Sequence, residues 1–181
     1  MAQQFDALTE DHQSFIKRQH LFFVGTAAGS GKVNVSPKGM DSLRVISPNE
    51  IVWLNLTGSG NETAAHVVET GRMTVMFCSF EKHPLILRLY GHAKLVYPRD
   101  EDKFSTYDRM FNHQPGTRQF FEMQVDMVQT SCGFAVPLFE LVAERETLSK
   151  WANNKGDNGI KDYWAEKNQL SLDGLKTEII D

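Results

Sequence analysis

Short runs rich in apolar, aromatic and β-branched residues dominate the chain between residues 21 and 130 and are typical of β-strands, and the run at 33–40 alternates apolar and polar residues with the period of two of a strand. Turn-forming residues separate the runs, as in Gly29–Lys32 and in the triplet at 47–49. Because the runs follow one another through short turns, we expect an antiparallel sheet that is closed or partly closed as a barrel. The predicted strands cover 21–28, 33–40, 43–48, 50–57, 72–80, 85–97 and 119–130.

Apolar residues at helical spacing predict helices at both ends of the chain and at two insertions between strands. These segments cover 5–18, 63–70, 99–111, 144–153 and 159–167. Ser59 and Glu62 have the spacing of a capping box, which predicts that the second helix begins near Ser59 and ends at Gly71. Strands and helices do not alternate, so the pattern indicates a mainly β (α+β) protein. We expect one domain over residues 1–181, with a helical C-terminal extension from about residue 140.

Charge and composition limit the kinds of molecule that we expect the protein to bind. The 181 residues carry a formal net charge of −4, which argues against a nucleic-acid partner, because such proteins need an excess of Lys and Arg. The sequence has no apolar run long enough to cross a membrane, and its first twenty residues lack a secretory pattern. Cys78 and Cys132 do not form a CxxC motif. We therefore expect two free thiols and a cytoplasmic protein that acts on a small molecule.

The segment GSGNET at 58–63 joins a predicted strand to a predicted helix. The free N–H groups of a helix start attract anions, and Ser59, Asn61 and Thr63 would add further donors. Glu62 opposes an anion unless its carboxylate points away. The alternative is a capped helix that follows a flexible loop and binds nothing.

Two basic residues are candidates for contact with the same ligand. Lys38 follows Pro37 at the end of a predicted strand, so a stiff backbone would present it, although a solvated surface lysine is the usual outcome. Arg88 interrupts the apolar run LILRLYG and needs either a ligand anion or a carboxylate as partner. The histidines show no metal-ligand spacing, and GTAAGSGKV lacks the glycine spacing of a P-loop.

Several segments together resemble one branch of the pyridoxamine 5'-phosphate oxidase-like family, whose members bind FMN on a split barrel. They are FFVGTA, VNVSPKG, TGSGNETAAHVVETGRMTVMFC, RLYGHA and SCGFAVP, which span about residues 15 to 137, and the tail NQLSLDGL also fits. The resemblance implies a six-stranded antiparallel split β-barrel with flanking helices. It also implies a homodimer that holds two FMN molecules at its interface.

The resemblance further implies which residues contact FMN. Ser36 and Lys38 would lie along the flavin, Asn55 and Thr57 would face the same cleft, and the loop residues would hold the phosphate. Arg88 would lie on the cleft-facing side of its strand, and the segment that contains Cys132 would close the site from the partner subunit. The implied FMN-binding set is Ser36, Lys38, Asn55, Thr57, Ser59, Asn61, Thr63, Arg88 and Cys132.

The sequence departs from the oxidase itself at two places. True oxidases carry Arg and Lys at the helix start, where this chain has Asn61-Glu62-Thr63, and they use an Arg-rich C-terminal segment, where the tail LSLDGLKTEIID contains only Lys176. We therefore do not expect oxidation of pyridoxamine phosphate. Two functions stay open: an FMN-dependent oxidoreductase with another small substrate, and a protein that binds, stores or senses a flavin or deazaflavin without turnover. A haem-binding protein is a third possibility and would need His66 or His92 as an axial ligand.

Overall fold

The computed structural model of the protein describes residues 2–180. In this part of the chain eight strands and four helices follow one another. In chain order they are β1 (Gln3–Phe5), α1 (Glu10–Arg18), β2 (Phe22–Thr26), β3 (Asn34–Lys38), β4 (Leu43–Ser47), β5 (Glu50–Leu56), α2 (Glu62–Thr70), β6 (Arg72–Cys78), β7 (Ile86–Val96), α3 (Glu101–Met110), β8 (Thr117–Ser131) and α4 (Thr147–Lys167).

All eight strands belong to one antiparallel sheet in the order β3-β2-β6-β7-β8-β5-β4, with β1 paired to β8. Inward side chains from β2, β5, β6, β7 and β8 share a single apolar core, in which Trp53 stacks on Phe121 with 4.6 Å between ring centroids. The predicted mainly β, antiparallel split-barrel fold with flanking helices is confirmed. The sheet has two more strands than the six expected.

Strand β7 shows why the sheet curves. Its register with β8 shifts between Tyr90 and Gly91, which confirms the bulge that Gly91 predicts. A Cβ atom at Gly91 would lie only 1.9 Å from the carbonyl oxygen of Gln124, so no other residue fits there without moving the backbone of β8. The two longest strands can therefore bend together around the core.

The N-terminal prediction is wrong in part. Residues 5–18 do not form one helix, because Phe5 pairs with Val128 as the last residue of β1. Helix α1 begins after Thr9, whose hydroxyl accepts the backbone N–H of His12 at 3.2 Å. His12 Nδ1 in turn accepts the Thr9 N–H at 3.2 Å, so a histidine completes a capping box at this position.

The start of α2 also differs from the prediction. Asn61, not Ser59, is the N-cap residue, and the capping box of Ser59 and Glu62 is not formed. The Glu62 carboxylate accepts the backbone N–H of Leu172 instead, at 3.1 Å. A hydrogen bond to a distant segment has replaced the local one, and the helix still ends at Gly71 in the left-handed conformation as predicted.

The C-terminal helices predicted at 144–153 and 159–167 appear as α4, which is broken by a non-helical Gly156 with φ of 64°. Residues 132–146 before α4 are irregular and mostly exposed, so the helical part begins later than residue 140. After α4 the chain turns back on itself, and Leu170 bridges Lys176. Among the described residues, no helix is long and apolar enough to cross a membrane.

Candidate functional site

A cavity of about 540 Å³ opens where β3, the end of β5, the start of α2 and the C-terminal tail meet. Most of its lining atoms come from polar residues. The lining residues are Asn34, Ser36, Lys38, Asn55, Leu56, Gly58, Ser59, Gly60, Asn61, Glu62, Thr63, Arg118, Lys167, Leu170, Ser171 and Leu172.

The loop 58–60 and the first turn of α2 form one side of the cavity. Asn61 is buried, and its side-chain oxygen accepts a hydrogen bond from Gln119 Nε2 at 2.8 Å. Thr63 accepts one from Asn34 Nδ2 at 3.1 Å, which joins the helix start to β3. The first N–H groups of an α-helix have no partner within the helix, so this side of the cavity presents donors and the positive end of a dipole.

Besides Lys167, which pairs with Glu166, two cations line the cavity. Arg118, the second residue of β8, is only 3% exposed and donates to the Gly60 carbonyl at 3.0 Å and to Asn168 Oδ1 at 2.8 Å. Neither partner is a carboxylate. Lys38, the last residue of β3, places its ammonium 5.0 Å from the ring centre of Trp53. An anion in the cavity would therefore meet positive charge that protein carboxylates do not already neutralise.

Burial weakens both cations. Burial, together with the nearby Arg118 charge, lowers the pKa of Lys38 to about 8. Burial also lowers the pKa of Arg118, to about 10. At pH 7 both groups are still mainly protonated. An anionic ligand would stabilise the charged form of each group, because no protein carboxylate pairs with either of them.

Unpaired polar atoms concentrate at the same place. Among the described residues, six buried side-chain polar atoms lack a hydrogen-bond partner, and four of them belong to residues that line the cavity or touch its lining. These four are Ser36 Oγ, Asn61 Nδ2, Arg118 Nε and Gln119 Oε1. An unpaired buried polar group costs about 1–3 kcal/mol. A polar ligand that formed hydrogen bonds with these atoms would recover part of this free energy.

Glu62 is the one acidic residue among the described residues that line the cavity, and its carboxylate is hydrogen-bonded to the tail. Its two carboxylate oxygens both lie 3.1 Å from the Leu172 nitrogen. Close by, Lys32 pairs with Asp173 at 2.5 Å. The tail thus holds the Glu62 carboxylate against the Leu172 N–H, at the end of the cavity where Asp173 also lies.

Comparison with known proteins identifies the family. A sequence model described as pyridoxamine 5'-phosphate oxidase matches residues 8–132. The pyridoxamine 5'-phosphate oxidase family protein ustO of Aspergillus flavus is 36% identical over 190 residues, which cover 94% of this chain and 76% of ustO. The chain belongs to the pyridoxamine 5'-phosphate oxidase family.

Solved structures of low sequence identity share this family's fold. A variant of HupZ from Group A Streptococcus superposes with a TM-score of 0.59 at 17% identity, covering 68% of this chain and 99% of that one. A candidate pyridoxamine 5'-phosphate oxidase from Lactobacillus delbrueckii gives 0.57 at 18% identity, covering 68% and 94%. At such identities the similarity shows the fold alone.

The structure brings together six of the nine residues expected to bind the cofactor: Ser36, Lys38, Asn55, Ser59, Asn61 and Thr63. Thr57 lies next to them, but its hydroxyl is already used. It donates to the Gly116 carbonyl and accepts the indole N–H of Trp164, both at 2.8 Å. Thr57 therefore fixes the loop in place and has no hydrogen left for a ligand.

Arg88 and Cys132 do not line the cavity. Arg88 lies between Leu87 and Leu89, which are fully buried, so the alternation of β7 places its side chain on the outer face of the sheet. There it donates to Ser131 Oγ at 3.1 Å. The expectation that Arg88 lies on the cleft-facing side of its strand stays a prediction, since Arg88 does not line this cavity. Cys132 is exposed in the irregular segment that follows β8.

Neither candidate haem ligand reaches the cavity. His66 is buried in α2, where its Nδ1 lies 3.1 Å from the Thr26 hydroxyl. His92 is on the surface and pairs with Asp126 at 2.7 Å. Among the described residues, no cluster of three or more His, Cys, Asp or Glu could hold a metal ion.

Sequence reasoning missed Arg118 and the tail. Arg118 carries the same local signal as Arg88, a basic residue next to a run of apolar strand residues, and TRQFF contains no turn or glycine motif that would mark it as part of a site. The helix start itself, Asn61-Glu62-Thr63, contains no basic residue. This chain supplies its positive charge from β3 and β8 instead.

Proposed function

We propose that this protein binds FMN in the cavity and acts as an FMN-dependent oxidoreductase on a small molecule. The observation that carries the proposal is the pair of cations, Lys38 and Arg118, beside a helix start and four unpaired polar atoms. A phosphate ester would supply the negative charge and the hydrogen-bond acceptors that these groups lack. The volume of about 540 Å³ also falls within the range of small-molecule sites, about 300–1,000 Å³.

The residues present fit FMN in two groups. Asn61, Thr63 and Arg118 would hold the phosphate, together with backbone N–H groups of the loop. Ser36, Lys38 and Asn55 line the rest of the cavity and would contact the ribityl chain and the ring. Bound FMN supplies the electron-transfer chemistry. The chain binds and orients it, and Lys38 keeps a positive charge against it.

The oligomer that the family implies has support in the segment 132–146. This segment exposes several large apolar side chains in an irregular conformation, and a second copy of the chain would cover them. They are Phe134, Leu138, Phe139, Leu141 and Val142, which are 53–96% exposed. We propose a homodimer in which this segment, with Cys132, closes the partner's site. Light scattering of the purified protein, with and without the exposed pair Phe134→Ser and Val142→Ser, tests this.

Replacing the buried cation tests the FMN site most directly. Arg118→Gln keeps a donor for the Gly60 carbonyl but removes the charge. Because a charged hydrogen bond contributes about 1.5–3 kcal/mol, FMN affinity should fall by about 10- to 150-fold. Arg109→Gln is the matched control, because Arg109 is exposed on α3 far from the cavity. Titration is followed by quenching of flavin fluorescence, and circular dichroism checks folding. A wild-type protein that takes up no FMN would refute the proposal.

A flavin-binding protein without turnover is the second candidate, and one observation favours it. Among the described lining residues, the only carboxylate belongs to Glu62, which is bound to Leu172, and the lining contains no histidine, tyrosine or cysteine. No carboxylate, imidazole, phenol or thiol in this lining is thus free to move a proton. Anaerobic reduction of the bound flavin by NADPH or NADH, followed by reoxidation with added acceptors, separates the two functions. Rapid turnover in both half-reactions supports the oxidoreductase.

A further inference from the structure

The tail that follows α4 forms a wall of the cavity. We call residues 168–177 the C-terminal strap. The strap supplies Leu170, Ser171 and Leu172 to the cavity lining, immediately beside the helix start. It lies outside residues 8–132, the part that matches the family. In this chain, a segment that follows the matched core therefore closes this side of the cavity.

The strap is a folded element with its own hydrogen bonds. Ser171 N–H donates to the Leu175 carbonyl at 2.9 Å, and Thr177 N–H donates to the Gln169 carbonyl at 3.0 Å. Its two ends are fully buried, since Asn168 and Thr177 are 0% exposed. The Tyr97 hydroxyl donates to the Thr177 carbonyl at 2.5 Å. Moving the strap would break these contacts together, so a ligand meets a fixed wall.

Three fastenings hold the strap against the proposed phosphate site. Asn168 donates to the Gly58 carbonyl at 3.1 Å and accepts from Arg118. Leu172 N–H is held by Glu62. Asp173 accepts both from the Lys32 ammonium, at 2.5 Å, and from the Lys32 backbone N–H, at 2.7 Å. The strap is therefore tied to the loop, to the first residue of α2 and to the β2–β3 turn.

Two carboxylates lie at this wall, Glu62 and Asp173, and Asp173 is paired with Lys32. The Lys32 contacts lower the pKa of Asp173, so its carboxylate is ionised at neutral pH. Glu62 places a second carboxylate at the same end. A single phosphate at the helix start lies within reach of Arg118, but a second phosphate beyond it would approach these carboxylates and the exposed Leu172 side chain.

We propose that the C-terminal strap restricts the cavity to flavins whose phosphate is terminal, a mononucleotide rather than a dinucleotide. The proposal rests on the proposed function, because it assumes that the phosphate of the flavin binds at the start of α2. It adds a specificity determinant that lies outside the matched residues 8–132. A dinucleotide has a second phosphate and a nucleoside, and both require space that the strap occupies.

The test compares FMN, FAD and riboflavin as ligands of the full-length, flavin-stripped protein by fluorescence titration. The wild type should bind FMN at least about tenfold more tightly than FAD. In the double variant Lys32→Ala/Asp173→Ala the strap loses the ion pair that fastens it to the β2–β3 turn, while the net charge at this wall stays the same. The FMN-to-FAD preference should then fall by about fivefold or more, mainly because FAD binds more tightly. Riboflavin affinity should change little.

A matched control removes another ion pair without touching the strap. Glu146 and Lys150 pair on the first turn of α4, away from the cavity, so Glu146→Ala/Lys150→Ala should leave the preference unchanged. Glu62→Gln keeps an acceptor for Leu172 and removes only charge, which separates repulsion from steric exclusion. Equal wild-type affinities for FMN and FAD would overturn the strap proposal alone. So would a loss of both affinities to the same extent in the Lys32/Asp173 variant. Binding of neither flavin would overturn the proposed function as well.

Discussion

Lys38→Met should make the flavin-free protein more stable while it weakens FMN binding. The pKa of Lys38 falls from 10.5 to about 8 in the folded chain, mainly through burial. At about 1.36 kcal/mol per pKa unit, the charged form is disfavoured by about 3 kcal/mol at neutral pH. Contact with the Trp53 ring returns about 0.5–2 kcal/mol. Methionine has a similar length and no charge, so the net gain should be about 1–3 kcal/mol.

The sign of the pH dependence gives a second, independent readout. Between pH 8 and 10.5 the unfolded chain still binds a proton at Lys38, whereas the folded chain has released it. Stability of the flavin-free wild type should therefore rise with pH in this window, by comparison with a Lys38→Met protein that lacks this contribution. Urea unfolding at pH 7 and pH 9.5 measures both slopes. For a chain of this size, the gain at pH 7 corresponds to a melting temperature raised by about 2–10 °C.

The control is Lys82→Met, because Lys82 is exposed in the β6–β7 loop. It should change neither stability nor its pH dependence. The reasoning would be refuted if Lys38→Met were less stable than the wild type without flavin, or if it kept the wild-type pH slope. A variant that is more stable but binds FMN as tightly as before would leave the burial argument intact and remove Lys38 from the site.

Three further outcomes follow from the described contacts. Asn61→Asp should weaken FMN binding by about tenfold, because it sets a carboxylate beside the phosphate, whereas Glu62→Gln should leave the affinity equal or higher; fluorescence titration of both variants compares them directly. FMN affinity of the wild type should be constant between about pH 7 and 8, where the phosphate is fully ionised, and fall by up to about tenfold per unit above it as Lys38 loses its proton, and a profile that stays flat to pH 9.5 would contradict this role. Gly91→Ala should destabilise the fold by several kcal/mol, seen as a lower urea midpoint, because its Cβ would meet the Gln124 carbonyl at 1.9 Å. Gly60→Ala, where a Cβ has room at 3.6 Å, is the corresponding control for the fold.

The sequence predicted the parts of the fold that depend on local alternation. The strands, the Gly91 bulge and the left-handed end of α2 at Gly71 all follow from residues close to one another in the chain. The loop before α2 and Lys38 on β3 could also be recognised as candidates, because a glycine run and a proline mark them locally. Their meeting in one cavity depends on the pairing of β3 with β2 and β2 with β6.

The rest of the site depends on contacts between distant segments. Arg88 and Arg118 have similar local surroundings, and only the sheet determines that the first faces outward while the second is buried beside the cavity. Glu62 is a second example. Its local spacing predicts a capping box, but its carboxylate instead accepts the N–H of Leu172, which is 110 residues away in the chain. Asn168 joins Gly58 and Arg118 through contacts that no spacing rule predicts.

Two tryptophans contact residues at or beside the cavity, each a different one. The indole N–H of Trp164 is bonded to Thr57, the residue before the glycine loop, and Trp53 lies beneath the Lys38 ammonium. The emission of Trp164 thus depends on the position of the loop, and that of Trp53 on the charge of Lys38. Of the three tryptophans in the chain, only Trp151 packs elsewhere, against Tyr163 on α4. Single-tryptophan versions of the protein would therefore follow loop movement and lysine protonation separately, as two built-in optical probes.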